Sequence, residues 1–459
     1  MSRKRCALIG ASCFPIVASL TGKALANPTL PTIGSATYNV TVSNSAIDGG
    51  AVAKAGGTTD NSSVINAFIA YAASHGGGTV EIPAASSAYM SNALLLGNNV
   101  NLKVDTGATL QNLTPKNTFI STTGTTHDVE ISGGGIIDDH ATSTSSNNML
   151  SLKNITNLEV ANVTIENSSH EHLVTEADSN VTINTVTIQD PLKYQSNTDG
   201  IDFSGSHFLI ENCHVAAGDD DIVAKPQDTA CSDITVANCT MTHGHGISIG
   251  GQTNLGLNGM TVTNCTFNNT TYGLHLKAGQ GNGGTVQNVT FNGLTMTKVE
   301  YPIIINSFYS SGGDNFPGNP SASSPFPAAT YTATTPIWDN ITVENLTATG
   351  ANNAAMIYGL NISPPNINGL TFENINIHAT DQWNMFYAAN IYMSNVSVTL
   401  TKKEAAFNEY ADTFVSGSQT DVVMMGDMVA VPEPGSAAIL LGAAIPLLAR
   451  IRRRKCPTT

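Results

Sequence analysis

Four short stretches in the middle of the chain carry polar groups at similar intervals. They read "SNTDGID" with Asp199 and Asp202, "AAGDDDIVAK" with Asp219, Asp220 and Asp221, "THGHGISIG" with His243 and His245, and "YGLHLKAG" with His275 and Lys277. The steps from Asp199 to Asp219, Asp219 to His245 and His245 to His275 are 20, 26 and 30 residues. Carboxylates gathered at one place repel, so at least one pKa among them must rise. A protonated and an ionised carboxyl side by side is what acid–base catalysis at mild pH needs, and glycoside hydrolysis uses such a pair. His and Lys on the flanking stretches add positive charge that can hold an anionic sugar. The plainest other use of clustered carboxylates beside glycine is a calcium site. His245 fits the intervals better than His243. Asp202 alternates with Ile201 and can simply face solvent, and Asp199 alone can be a turn residue.

Such groups meet only if the chain returns to the same place once per interval. A pattern of apolar, any, small or Asn, apolar starts at Val160, Ile183, Ile210, Val236, Val262, Phe291, Val343, Phe372 and Met393. The starts lie 23, 27, 26, 26, 29, 52, 29 and 21 residues apart. The gap of 52 leaves room for one hidden repeat or one insertion, around residues 310–335. Periods of this length mean a solenoid. The units hold short Val, Ile and Thr runs, which favour strands. The expected fold is therefore all-β, a single-stranded right-handed parallel β-helix whose equivalent residues stack about 4.8 Å apart.

The same register explains other features. Cys213, Cys239 and Cys265 share one repeat position and are expected inside as a ladder of small buried groups; Cys231 lies off that ladder. Asn-x-Ser/Thr triplets, among them those at Asn162, Asn180, Asn238, Asn264, Asn288, Asn340 and Asn345, read as turns with left-handed backbone, in preference to glycosylation sites. Residues 58–78 carry Val64, Ile65, Phe68, Ile69 and Ala72 at helical spacing, with Thr59, Asp60 or Ser62 to cap the start and three glycines to end it. This amphipathic helix is expected to plug the N-terminal end of the coil stack, which would otherwise be an open sheet edge.

Composition narrows the function. The chain has 459 residues, a net charge of −15 and only 12% charged residues. No basic stripe lies outside the termini, which argues against nucleic-acid binding. Residues 1–26 read as a signal peptide: Arg3, Lys4 and Arg5, an apolar middle, then Ala24-Leu25-Ala26. Residues 27–430 form the coil domain. Residues 431–455 start with Val431-Pro-Glu-Pro, continue with an apolar segment shorter than an ordinary membrane span, and end in Arg450, Arg452, Arg453, Arg454 and Lys455. This tail resembles the PEP-CTERM sorting signal of Gram-negative bacteria. The resemblance implies export, handling by sorting machinery at the inner membrane, and delivery to the cell surface or outside.

Taken in order, "NTDGID", G-D-D, "GHGISIG" and a strand ending x-x-Lys resemble the polygalacturonase family, glycoside hydrolase family 28. "AGGTTDNSSVINAFIAYAASHGGGTVEIPA", "NVNLKVDTGATL" and "YPIIINSFY" are similar to further segments of that family. The likeness runs from about residue 46 to about 400. It implies hydrolysis of α-1,4-galacturonan in pectin with inversion and without metal or cofactor. It implies Asp219 as general acid, Asp199 and Asp220 as activators of water, and His245 as the group that tunes the acid's proton. Lys277 and Tyr309 would hold galacturonate. His275 stands where the family has Arg, so carboxylate recognition is weaker, or works best in acid, or the substrate differs. Asp221 stands where many relatives have Cys, which leaves Cys231 without the disulfide partner some relatives use. The implied partner is an acidic plant-type polysaccharide, met by a monomer. Two alternatives remain: a surface β-helix that binds acidic polysaccharide after its site has lapsed, and a β-helical lyase, which would want a calcium cluster and an Arg or Lys base. Asp219 and Asp220 follow one another on a strand, so they can share a cleft only if the backbone bends at Gly218.

Overall fold

A computed structural model describes residues 27–190, 195–310, 313–402, 405–410, 413–414 and 423–425. The signal peptide and sorting tail read from the sequence lie outside the described residues. Among the described residues, thirty-one strands hydrogen-bond into one continuous parallel sheet, wound as a right-handed β-helix of about 11 turns. The nine starts of the sequence repeat stand in a single row. Val160 pairs with Ile183, then Ile210, Val236, Val262, Phe291, Val343, Phe372 and Met393 in turn. Phe291 pairs directly with Val343, so the long gap hides no repeat: the coil is interrupted by an insertion after Asn306.

One face of every strand fills the core. Ile, Val, Leu and Phe from successive coils stack inside it, with Phe208, Phe267, Phe291, Phe372 and Trp338 fully buried. The cysteine ladder forms as expected: Cys213, Cys239 and Cys265 are buried free thiols, and Cys231 is buried and free as well. Asn61, which also begins such a triplet, has φ −94°, whereas the seven asparagines named above take positive φ, between 52° and 58°. That backbone costs other L-residues about 1–2 kcal/mol. Their amides bond from coil to coil, as in Asn340 Nδ2 to Asn288 Oδ1 at 2.6 Å and Asn288 Nδ2 to Asn258 Oδ1 at 2.7 Å.

The helix spans Ser62–Ser74 and buries Ile65, Phe68, Ile69 and Ala72 on the first coils. Of the expected caps, Asp60 acts: its Oδ1 accepts the Ser62 amide at 2.9 Å, and Asn61 occupies the cap position itself. Gly76, Gly77 and Gly78 all have positive φ and turn the chain into the strand Gly78–Ile82.

Candidate active site

One sheet of the coil stack carries the chemistry. Its strands include Leu173–Asn184, Ile201–Glu211, Ile222–Ala224, Ile247–Gly251, Tyr272–Ala278 and Tyr301–Asn306. Leu173, Ile201, Ile222, Ile247 and Leu274 pair in register and point inward. Two residues earlier, where the chain enters each strand, stand Glu171, Asp199, Asp220, His245 and Tyr272. Outward on the strands, Asp202, Val223, Ser248, His275 and Ile304 form a second row. Two residues further on, Lys225, Gly250, Lys277 and Asn306 follow.

This register corrects the interval count made from sequence. Asp199 stands level with Asp220, not Asp219, and His245 with Tyr272, not His275. The turns before the strands differ in length, so equal spacing in sequence does not mean equal height on the coil. Asp219 joins the cluster through the bend foreseen at Gly218: the chain bends at Gly218 and Asp219 before entering Ile222–Ala224. Asp219 Oδ1 lies 2.9 Å from His245 Nδ1, and Asp220 Oδ1 lies 3.9 Å from the same nitrogen. Gly244 permits this approach, because a Cβ there would stand 2.5 Å from the Asp219 carbonyl oxygen and 2.6 Å from Asp221 Oδ1.

The carboxylates then divide by partner. Asp219 accepts from His245 and, at 2.9 Å, from the Asn197 amide. Burial opposes its charge, but the bond and charge of His245, with Lys277, hold its pKa well below the usual carboxylate range. His245 is raised in turn: burial works against its proton, and Asp219 and Asp220 outweigh it. Asp220 receives Lys277 Nζ at 3.0 and 2.9 Å and Ser248 Oγ at 2.6 Å. It too is lowered, Lys277 overcoming burial. Asp199 behaves in the opposite way. Burial, helped by the charges of Asp220 and Asp219, pushes it up to about 6 against the pull of Lys225. Its Oδ2 takes Lys225 Nζ at 2.8 Å, while its buried Oδ1 has no hydrogen-bond partner among the described residues.

Asp202 does not face solvent. It is buried and bonded to Lys225. Asp221 is fully buried, accepts the amides of Ala217 and Gly246 at 3.1 and 2.8 Å, and is raised strongly by that burial. It closes the bend and ties it to the next coil, as a structural member of the trio. His243 faces a neighbouring groove with Glu166, Gln189 and His214.

His275 is buried, its ring stacked on Tyr272 at 3.9 Å and its Nε2 3.1 Å from Asp314 Oδ2. Burial and the Lys277 charge lower its pKa below the ordinary imidazole value despite Asp314. Tyr309 packs over Gly251, where a Cβ would come 2.2 Å from its ring, and Lys277 Nζ lies 5.1 Å from the ring centre.

Lys225, Glu171, Ser248, Tyr272 and Asp314 were missed in the sequence. Lys225 had a signal: it ends the acidic stretch, two residues beyond Val223, where strand alternation points it outward. Asp314 had none, because the antiparallel pairing of Tyr309–Ser310 with Gly313–Asp314 that delivers it lies inside the insertion. Among the described residues, two acidic groups have ligand atoms within 4.8 Å of one another, Asp219–Asp220–His245 and Glu171–Asp199–Asp202. In the second, the ammonium of Lys225 already stands where a cation would, and the first holds His245.

Residues 76–398 match the family described as glycosyl hydrolases family 28. A probable polygalacturonase of Arabidopsis thaliana is 34% identical over 171 residues, 36% of this chain and 36% of that protein. The chain spans about a third of the length of the first curated relatives it matches. Among solved structures, a polygalacturonase from Erwinia carotovora superposes with a TM-score of 0.61 at 22% identity, over 81% of this chain and 99% of that one. A family 28 exopolygalacturonase of Yersinia enterocolitica gives 0.67 at 18%, over 86% and 79%. At these identities the structures speak for the fold.

Proposed function

The chain belongs to glycosyl hydrolase family 28, and from that premise we propose that it is an exported hydrolase of α-1,4-galacturonosyl bonds in pectin-type polymers. The observation that carries the reading is the grouping of Asp199, Asp219, Asp220 and His245 on one outward face, with two differently poised kinds of carboxyl. The pair Asp219–His245 shares one proton, held at rest on His245. As the glycosidic oxygen leaves, the proton passes through Asp219 to that oxygen, and the pair is reloaded afterwards with the proton that Asp199 or Asp220 took from water. Asp199, through its free Oδ1, and Asp220, fixed by Lys277 and Ser248, orient and deprotonate the attacking water. Water and acid then act on opposite sides of the bond, which gives inversion. Lys277 and Tyr309 border the sugar. Export rests on the basic, apolar and Ala-Leu-Ala order of the first 26 residues.

The signs set the pH profile. Asp199 must be ionised to act as base, so the rate rises as pH passes about 6. His245 must keep its proton, so the rate falls only above the ordinary imidazole range. The test is reducing-end release from polygalacturonate by the wild type and by Asp219→Asn. Release by the first and its loss in the second is expected. Binding of the polymer with no release by either would mean a lapsed, binding-only β-helix, and an unsaturated product absorbing in the ultraviolet would mean a lyase.

A further inference from the structure

Downstream of Lys277 the row that carries it changes character. Lys277 pairs with Asn306, which is followed by Tyr358, Phe386 and Tyr410. Asn306 lies one coil beyond Lys277 and Tyr358 two, about 5 and 10 Å along the face. Over these coils the inserted segment lies as a roof. Phe326 sits 5.4 Å from Phe308, 5.1 Å from Tyr387 and 6.0 Å from Phe386, and Phe316 sits 4.9 Å from Tyr358, ring centre to ring centre. Polar bonds fix it on both sides. The Phe326 amide donates to Tyr387 Oη at 3.1 Å, Asn361 Nδ2 donates to the Phe326 carbonyl at 2.7 Å, and Tyr358 Oη donates to Asn319 Oδ1 at 3.1 Å. The end of the roof nearest the carboxylates is Asp314, held by Asn306 Nδ2 at 2.7 Å and by His275. Upstream, among the described residues, a groove of about 210 Å³ is bounded by Lys153, Glu176, Ser204 and Lys225, the lysine that bonds Asp199.

We propose that segment 313–336 closes the cleft immediately downstream of the carboxylates, so that the protein takes a polymer only by one end and releases one or two sugar units at a time. The proposal rests on the hydrolase reading of the site. A polysaccharide laid along the coils can occupy the upstream groove at any length. From Asp220 it crosses the coil of His245 and, about two coil spacings on, meets Asp314 at the coil of His275 and Lys277, and then the Phe326 layer. An internal stretch of polymer therefore cannot thread across the carboxylates, while a chain end can reach them.

The test compares early products from polygalacturonate, sized by chromatography, with the fall in solution viscosity. For the wild type, mono- and disaccharide dominate from the first per cent of bonds cleaved, and viscosity hardly moves. Replacing residues 316–330 by a Gly-Ser linker of equal length opens the cleft and yields intermediate oligomers with a rapid viscosity loss. Should that variant unfold by circular dichroism, Phe316→Ser with Phe326→Ser keeps the chain length and loosens the roof, with the same products expected. A ladder of intermediate oligomers from the wild type overturns the proposal while leaving the hydrolase intact. So does an unchanged product pattern from a folded variant whose roof is opened. No cleavage by wild type or variant defeats the hydrolase reading itself, and this proposal with it.

Discussion

The same outward rows of one sheet do two different things. Between Asp199 and Lys277 they hold charged groups that the coil stack buries only in pairs; beyond Asn306 the row of Lys277 holds the aromatic Tyr358, Phe386 and Tyr410 beside a roof. The inward residues hardly differ: Ile247, Leu274, Ile303 and Ile357 fill the core alike. A parallel coil thus fixes height and spacing, and the outward residue alone decides whether a coil does chemistry or packing. The charged half is expensive to build. Each of its carboxylates has lost water: Asp219 and Asp220 keep their charge through His245 and Lys277, while burial raises Asp199 in spite of Lys225.

Substitutions on the two halves should therefore differ in kind. The largest effect is expected from Asp219→Asn, which keeps the shape and removes the transferable proton. The kcat for reducing-end release should fall about 10²–10⁴-fold, with thermal stability little changed. Next is Lys225→Met. It leaves Asp199 and Asp202 without their shared cation, so denaturant unfolding should show a loss of about 3–5 kcal/mol. It also removes the pull that lowers Asp199, so the rising limb of the pH–rate profile should move to higher pH in whatever activity survives.

On the aromatic half, Phe326→Ala should act on the roof and spare the coils. Its denaturation midpoint should move less than that of Phe267→Ala, whose fully buried ring is worth about 3–5 kcal/mol. Equal shifts would mean that the roof is part of the cooperative core. The smallest effect lies at the turns. Asn340→Ala keeps a positive φ without the amide ladder and should cost about 1–2 kcal/mol by chemical unfolding, whereas Asn340→Gly should cost less.

The two halves were also unequally readable in the sequence. The coil register was plain from Val160 to Met393, because core residues recur wherever the chain closes a turn. The cysteine ladder and the asparagine turns followed from the same recurrence. The carboxylates were visible because charge is scarce in the chain. Their partners were less so. Asp199 faces Asp220 and not Asp219 because turn lengths vary between coils, which no residue count reveals. Lys225 was readable from strand alternation and was passed over. Asp314 and Phe326 were hidden, since they reach the site from an insertion with no period of its own. The inference that Asp202 faces water failed for a related reason: alternation puts it outward, but a lysine one coil on covers it.

The central claim is that Asp219 protonates the leaving oxygen while Asp199 and Asp220 direct water to the other side of the bond. Proton NMR of polygalacturonate during the first minutes of hydrolysis tests it most directly, by showing which anomer forms at the new reducing end. The account predicts the β-anomer first, relaxing later to the mixture, and no signal from Asp219→Asn. The α-anomer first, or undiminished release from Asp219→Asn, would contradict it.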